Sequence, residues 1–167
     1  MSGHTENSIV IASGIERVWS ITNDVGSWPS LFSEYASAEI LSRTDSTVLF
    51  RLTTHPDEES RVWSWVSERR LDPASYTAHA RRVETGPFEY MNIRWEYRQV
   101  DGGVEMKWIQ DFHMKPTAPV DDAAMTERIN HNTSVQMARI KSIIESGSRP
   151  GGNDPVPAAR DANAEWS

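Results

Sequence analysis

The stretch Arg61-Val62-Trp63-Ser64-Trp65-Val66-Ser67-Glu68-Arg69 concentrates the side chains best suited to chemistry. Read as a strand it alternates, so Trp63, Trp65, Ser67 and Arg69 share one face and Val62, Ser64, Val66 and Glu68 the other. Two indoles, a hydroxyl and a guanidinium in a row suit the wall of a pocket for a flat, oxygen-rich ligand. The same row also suits two core indoles and an arginine snorkelling at the strand end. Arginine keeps its charge near neutral pH, with a pKa above about 12. It is therefore a poor base but a good fixed donor to ketone, enolate or alkoxide oxygens in a dry cavity. Tyr35 can relay a proton or donate to a carbonyl. Ser67, beside Arg69 on the same face, can donate or orient a water. Gln110 and Gln136 are amides, able to hold an oxygen but not to take a proton. Arg82 faces either the same space or solvent, with Arg81 on the other side.

These residues need elements to hold them, and the periodicities supply a set. Ser8–Ala12 reads as a first strand. Ser13 or Gly14 caps a helix from Ile15, where Ile15, Val18, Trp19 and Thr22 recur at helical spacing. A second short helix fits Ser27–Phe32, with Pro29 tolerated in its first turn. Period-2 segments follow over Glu34–Arg43, Thr47–Thr54, Arg61–Leu71, Thr77–Glu84, Phe88–Val100 and Val104–Lys115. Polar turns separate them, among them His55–Ser60 and the hairpin turn Asp101-Gly102-Gly103. A long helix is expected from about Val120 to Ser146. Met125, Ile129, Thr133, Gln136, Ile140 and Ile144 form its stripe, widened by Val135, Met137 and Ile143. Gly147 stops it. Strands followed by one long helix predict an α+β fold, a curved antiparallel sheet around the helix with a cavity between them. Residues 1–146 form that domain. Residues 147–167, rich in Gly, Pro, Ala and charge, read as a disordered tail whose deletion after Ser148 leaves folding unchanged.

Composition narrows the function. A chain of 167 residues suits one domain. The net charge of −7 argues against non-specific nucleic-acid binding. The absence of Cys excludes disulfides and thiolate chemistry. With no secretory signal and no bilayer-length apolar run, the expected address is the cytoplasm, away from membranes. His4 in the N-terminal tail, His55, His79, His113 and His131 show no metal-ligand spacing and read as surface or structural.

Asn23-Asp24, Trp28-Pro29-Ser30-Leu31-Phe32-Ser33-Glu34-Tyr35, Arg61-Val62-Trp63-Ser64-Trp65 and Val83-Glu84-Thr85-Gly86-Pro87-Phe88 resemble the bacterial type II polyketide aromatase/cyclases. The likeness is to the single-domain tetracenomycin and spore-pigment type, and covers nearly all of Asn7 to Glu145. It implies the helix-grip fold of the START-like (Bet v 1-like) superfamily. It implies first-ring aldol closure of a poly-β-ketone with C9–C14 regiochemistry, then dehydration and aromatisation. It implies no metal or redox cofactor. The expected partners are the minimal polyketide synthase and the acyl carrier protein that bears the chain.

On that resemblance Arg69 is central to ring closure, with Tyr35 and Ser67 beside it. Trp28, Phe32, Ser33, Trp63, Trp65, Arg82, Phe88, Met91, Trp95, Trp108, Gln110 and Gln136 hold the substrate. Trp19 is assigned to the core. The two amides stand where wider relatives can carry titratable groups, so the expected mechanism is a template with oxyanion stabilisation, and Tyr35 or a water moves protons. Carrier docking then needs a local basic patch, with Arg43, Arg51, Arg81 and Arg94 as contributors. A non-catalytic carrier or chaperone for an aromatic or lipid ligand is the alternative use of the same cavity.

Overall fold

The computed structural model describes residues 2–147. Its elements, in chain order, begin with β1 (Gly3–Ile11) and α1 (Ile15–Thr22), then a 3₁₀ turn (Val25–Ser27) and α2 (Trp28–Leu31). There follow β2 (Tyr35–Arg43), β3 (Thr47–Thr54), β4 (Ser64–Asp72), β5 (Thr77–Arg82), β6 (Phe88–Val100), β7 (Gly103–Met114) and α3 (Asp122–Glu145). The strands form one seven-stranded sheet in the order β1-β7-β6-β5-β4-β3-β2. Every pairing is antiparallel. This is the expected helix-grip, a curved sheet around a long C-terminal helix. The proposed tail, from Ser148, lies outside the described residues, and only Gly147 of it is seen. Gly147 has φ +84° and donates its N–H to Ile144 O at 3.2 Å, as a helix stop requires.

The period-2 pattern places side chains correctly along β6 and β7. Met91, Trp95 and Tyr97 on β6 are buried, as are Val104, Met106, Trp108, Phe112 and Met114 on β7. The helix stripe is narrower than expected. Met137 joins the buried face, but Val135 is 45 % exposed. It follows Thr133 by two positions, and two helical steps carry a side chain to the far side of the helix.

β1 starts five residues earlier than Ser8, because Gly3 to Asn7 pair with β7 from Phe112 to Trp108. A Cβ on Gly3 would stand 2.1 Å from Cζ of Phe112, so that close pairing needs glycine. His4 is consequently a strand residue, its Nδ1 2.5 Å from Asp111 Oδ1 and its Nε2 2.8 Å from Glu6 Oε2. The polar composition of this segment conceals an edge strand whose side chains are half in solvent. The second helix is a 3₁₀ turn running into a single α turn, with Ser27 making no side-chain cap. β4 begins only at Ser64, so Arg61 to Trp63 belong to the preceding loop. There Asp57 accepts from the Arg61 and Glu59 backbone N–H groups at 2.9 Å.

α3 closes the concave face. Asp121 caps it, accepting from Ala124 N at 2.8 Å, and Asp122 accepts from Met114 N at 2.7 Å. At the far end Lys141 donates to Val10 O at 2.6 Å and Glu145 accepts from Ala12 N at 2.7 Å. The helix is thus pinned to the sheet at both ends, and one face between them, with Ile129, Thr133 and Gln136, borders open space.

Candidate functional site

That space is a cavity of about 410 Å³ between α3 and the sheet, within the size range of small-molecule sites. Its floor is aromatic. Trp95 and Trp108, paired across β6 and β7, stack at 4.2 Å with planes 8° apart. Trp28 lies against Trp95 at 5.8 Å, and Phe32 against Trp108 at 5.9 Å. The indole of Trp28 donates to Thr22 O at 3.1 Å, which fixes α2 over the floor. The rings pack on one another before they meet any ligand, so they form a preorganised surface. Trp19 makes edge contacts with Tyr76 and Tyr97 and stays in the core, as expected.

Arg69 is the largest fully buried side chain, 1 % exposed. It is not a snorkelling strand-end cation. Its guanidinium carbon lies 4.0 Å from the Trp95 ring centre and 5.3 Å from that of Trp28. Its Nε and Nη2 donate to Asn23 Oδ1 at 3.0 and 2.8 Å. Burial lowers its pKa to about 10, against the raising influence of Tyr97 and Tyr35, so it remains a cation at neutral pH. Ser67 is buried on the same face.

Arg82 also lines the cavity, 4.3 Å over Trp65 and 5.0 Å from Phe88, with Nη1 donating to Thr85 O at 3.1 Å. Burial lowers its pKa to about 10 as well. Arg81 turns outward and pairs with Glu68 at 3.2 Å. Trp65 is half-buried in the wall, whereas Trp63 is 39 % exposed and stands at the mouth. Phe88, Met91 and Gln110 line the wall, and Gln110 Nε2 lies 3.5 Å from Thr133 Oγ1.

Ser33 and Gln136 differ from the expectation. Ser33 is exposed and does not line the cavity. Its N–H donates to Gln136 Oε1 at 3.0 Å, and Gln136 Nε2 donates to Ser33 Oγ at 2.8 Å. Both ends of the amide are thereby engaged in tying α3 to the α2–β2 corner. Gln136 borders the cavity but positions the helix.

Tyr35 lines the wall near Trp28 and Trp65. Burial, chiefly, and the neighbouring Glu34 push its pKa well above the ordinary tyrosine value. It therefore keeps its proton, and its hydroxyl is a donor at neutral pH.

Glu34 is the residue that the sequence reading passed over. It lines the cavity and accepts from Asn132 Nδ2 at 2.7 Å. Burial raises its pKa above the usual carboxylate range, partly offset by hydrogen bonds from Asn132 and Tyr35. Strict alternation would put Glu34 and Tyr35 on opposite faces. The register shift between Tyr35 and Ser37, just where β2 begins, lets both reach the cavity. A carboxylate beside a tyrosine at a helix-to-strand junction was the available signal.

The expected docking cations are also relocated. Arg51, Arg81 and Arg94 pair with Glu84, Glu68 and Glu96 at 3.0, 3.2 and 2.6 Å. None of these, nor Arg43, lines the cavity. At the mouth Arg61 pairs with Asp57 and Glu59, while Arg128 on α3 has no acidic partner among the described residues.

A sheet gripping one helix over an aromatic cavity, with a buried cation inside, defines a ligand-enclosing helix-grip domain. The chain belongs to the family described as polyketide cyclase / dehydrase and lipid transport, which residues 12–140 match. A protein of Streptomyces cyaneus carrying the name polyketide cyclase is 61% identical over 148 residues, 89% of this chain and 97% of its own. The crystal structure of the Zhui aromatase/cyclase from Streptomyces sp. R1128 superposes with a TM-score of 0.78 at 20% identity, covering 92% of this chain and all of that one. A START superfamily protein from Mycobacterium smegmatis has the same fold, with a TM-score of 0.69 at 16% identity over 87% of this chain and 99% of its own. No helix among the described residues is long and apolar enough to cross a membrane.

Proposed function

We propose that this member of the family is a polyketide aromatase/cyclase. It closes the first ring of a carrier-protein-bound poly-β-ketone by an aldol step between C9 and C14, then dehydrates and aromatises it. The observation that carries this reading is Arg69, a buried cation on an aromatic floor with no carboxylate hydrogen-bonded to it among the described residues. Folding a flexible chain against that floor brings carbon nucleophile and carbonyl together. Glu34, when ionised, accepts the acidic methylene proton, and Arg69 holds the enolate oxygen. Attack on the carbonyl leaves an alkoxide that takes a proton from the Tyr35 hydroxyl. The protonated Glu34 returns its proton to Tyr35, with which it shares a hydrogen bond. Loss of a second methylene proton and of hydroxide as water gives a ring enone, and enolisation of the remaining ring ketones makes it aromatic.

Family membership and the likeness to polyketide cyclases support this reading. The carrier protein would dock at the mouth, where Arg128, with no acidic partner among the described residues, offers a cation to an acidic surface. A transport role is the competing reading, since the family description includes lipid transport. A transporter needs the aromatic floor but has no use for Arg69 deep within it.

The test is product profiling, by mass spectrometry and NMR, of a minimal polyketide synthase alone, with this protein, and with Arg69→Ala. First-ring-aromatised products with wild type, reverting to a shunt mixture with a folded variant, support the cyclase. An unchanged mixture with wild type sinks it.

A further inference from the structure

Asn23 lies at the C-terminal end of α1, outside the cavity wall, and its amide is engaged on both sides. Oδ1 accepts two N–H groups of Arg69, at 3.0 and 2.8 Å. Nδ2 donates to Trp19 O at 3.0 Å and to the Tyr97 hydroxyl at 3.3 Å. The Tyr97 hydroxyl is 2.6 Å from Thr22 Oγ1, which itself donates to Val18 O at 2.7 Å. One direction of donation satisfies all of these. Asn23 donates to Tyr97, Tyr97 to Thr22, and Thr22 to the α1 backbone. Two donors on one side of the amide and two acceptors on the other fix which atom is oxygen.

The common partner for a buried arginine is a carboxylate. Here it is an amide oxygen, which grips the guanidinium in two places and leaves its charge uncancelled. Tyr97 does not supply the missing charge. Burial, above all, pushes its pKa up to about 12, so it is neutral. An uncompensated buried cation is costly. That cost is recovered when an anion enters the cavity.

We infer that Asn23 is a positioning residue that aims Arg69 while keeping it unneutralised, so that the cavity selects the ionised, enolate or phenolate, form of a flat polyketone or polyphenol over its neutral form. This rests on the reading of Arg69 as an oxyanion donor and names the residue that sets its charge state. Asparagine serves where aspartate does not, because aspartate would quench the cation and could not donate to Trp19 O.

The probe is alizarin, a dihydroxyanthraquinone that ionises, against its dimethyl ether, which cannot. Affinities are read by quenching of tryptophan fluorescence across the pH range of alizarin ionisation. Wild type should bind alizarin more tightly than the ether, by a margin that grows as the phenol ionises. Asn23→Asp should lose about tenfold or more for the phenolate, the scale of a charge-assisted hydrogen bond, and keep its affinity for the ether. Equal weakening for both ligands would make Asn23 merely structural and overturn the inference, as would an unchanged phenolate preference in the variant. Should Asn23→Asp fail to fold, wild type alone decides. Affinity for alizarin that does not rise over the ether on ionisation overturns the inference. A wild type that selects phenolate yet leaves synthase products unchanged keeps this inference and loses the cyclase reading.

Discussion

Two arginines enter one cavity and meet opposite surroundings. Arg69 is 1 % exposed, stacked on Trp95 and gripped by the Asn23 amide. Arg82 is half-buried between Trp65 and Phe88, held by a backbone carbonyl, with Glu84 among the charges acting on it. Burial lowers both pKa values to about 10, and both stay charged. Residue type and charge are therefore shared, and the partners make the difference. Among the described residues the deep arginine has no carboxylate partner, and it is suited to a developing oxyanion. The shallower one is screened by solvent and a carboxylate, and is suited to orienting a neutral carbonyl oxygen.

The comparison breaks most sharply on Arg69→Ala. Turnover should fall about 10²- to 10³-fold, as for loss of an oxyanion donor, with the melting temperature checked alongside. Glu34→Gln comes next, at about 10²-fold. It should also abolish the acid limb of the pH–rate profile, which in wild type rises as Glu34 ionises. An intact limb in Glu34→Gln would assign the proton to another acceptor.

The same residue has a stability signature. Burial raises the Glu34 pKa in the folded state. Its stabilising contribution is therefore fully present below the unfolded-state pKa and is lost as pH rises through the folded-state value. The melting temperature of Glu34→Gln should gain on wild type as pH rises from the unfolded-state carboxylate value, about 4.3, through the higher folded-state one. A constant difference would show that Glu34 does not titrate abnormally.

Arg82→Ala should cost about tenfold, the worth of one hydrogen bond to a charged group, and mostly in KM. A loss as large as that of Arg69→Ala, falling on kcat, would erase the distinction between the two arginines. The smallest effect is expected at the mouth. Arg128→Glu should slow cyclisation of the carrier-bound chain a few-fold and spare free analogues, with the slowing reduced at high salt. Equal loss on both substrates would remove Arg128 from docking.

Much of this was legible in the chain itself. A side chain on a strand must face one way or the other, so Met91, Trp95, Trp108 and Phe112 declared the concave face by spacing alone. Helical spacing did the same for Met125, Thr133, Gln136 and Ile140. Spacing also put Ser67 and Arg69 on one face with the indoles. The failures fall where periodicity ends. Glu34, missed beside the anticipated Tyr35, sits at an irregular strand start, and Trp63 in the loop before β4. The polar β1 segment pairs through its backbone, which hydropathy does not record. Ser33 and Gln136 are expected to hold substrate, but Ser33 lies outside the cavity and Gln136, on its border, is engaged by Ser33.

The sequence by itself determined the order of the elements, the faces they bury and the presence of a cation among aromatic rings, because these follow from local periodicity and side-chain chemistry. Tertiary structure alone decided which group answers that cation. Asn23 and Arg69 are far apart in the chain, and whether a buried guanidinium meets an amide or a carboxylate depends on where the C-terminal end of α1 falls against Arg69 of β4. On that contact rests the charge left available inside the cavity.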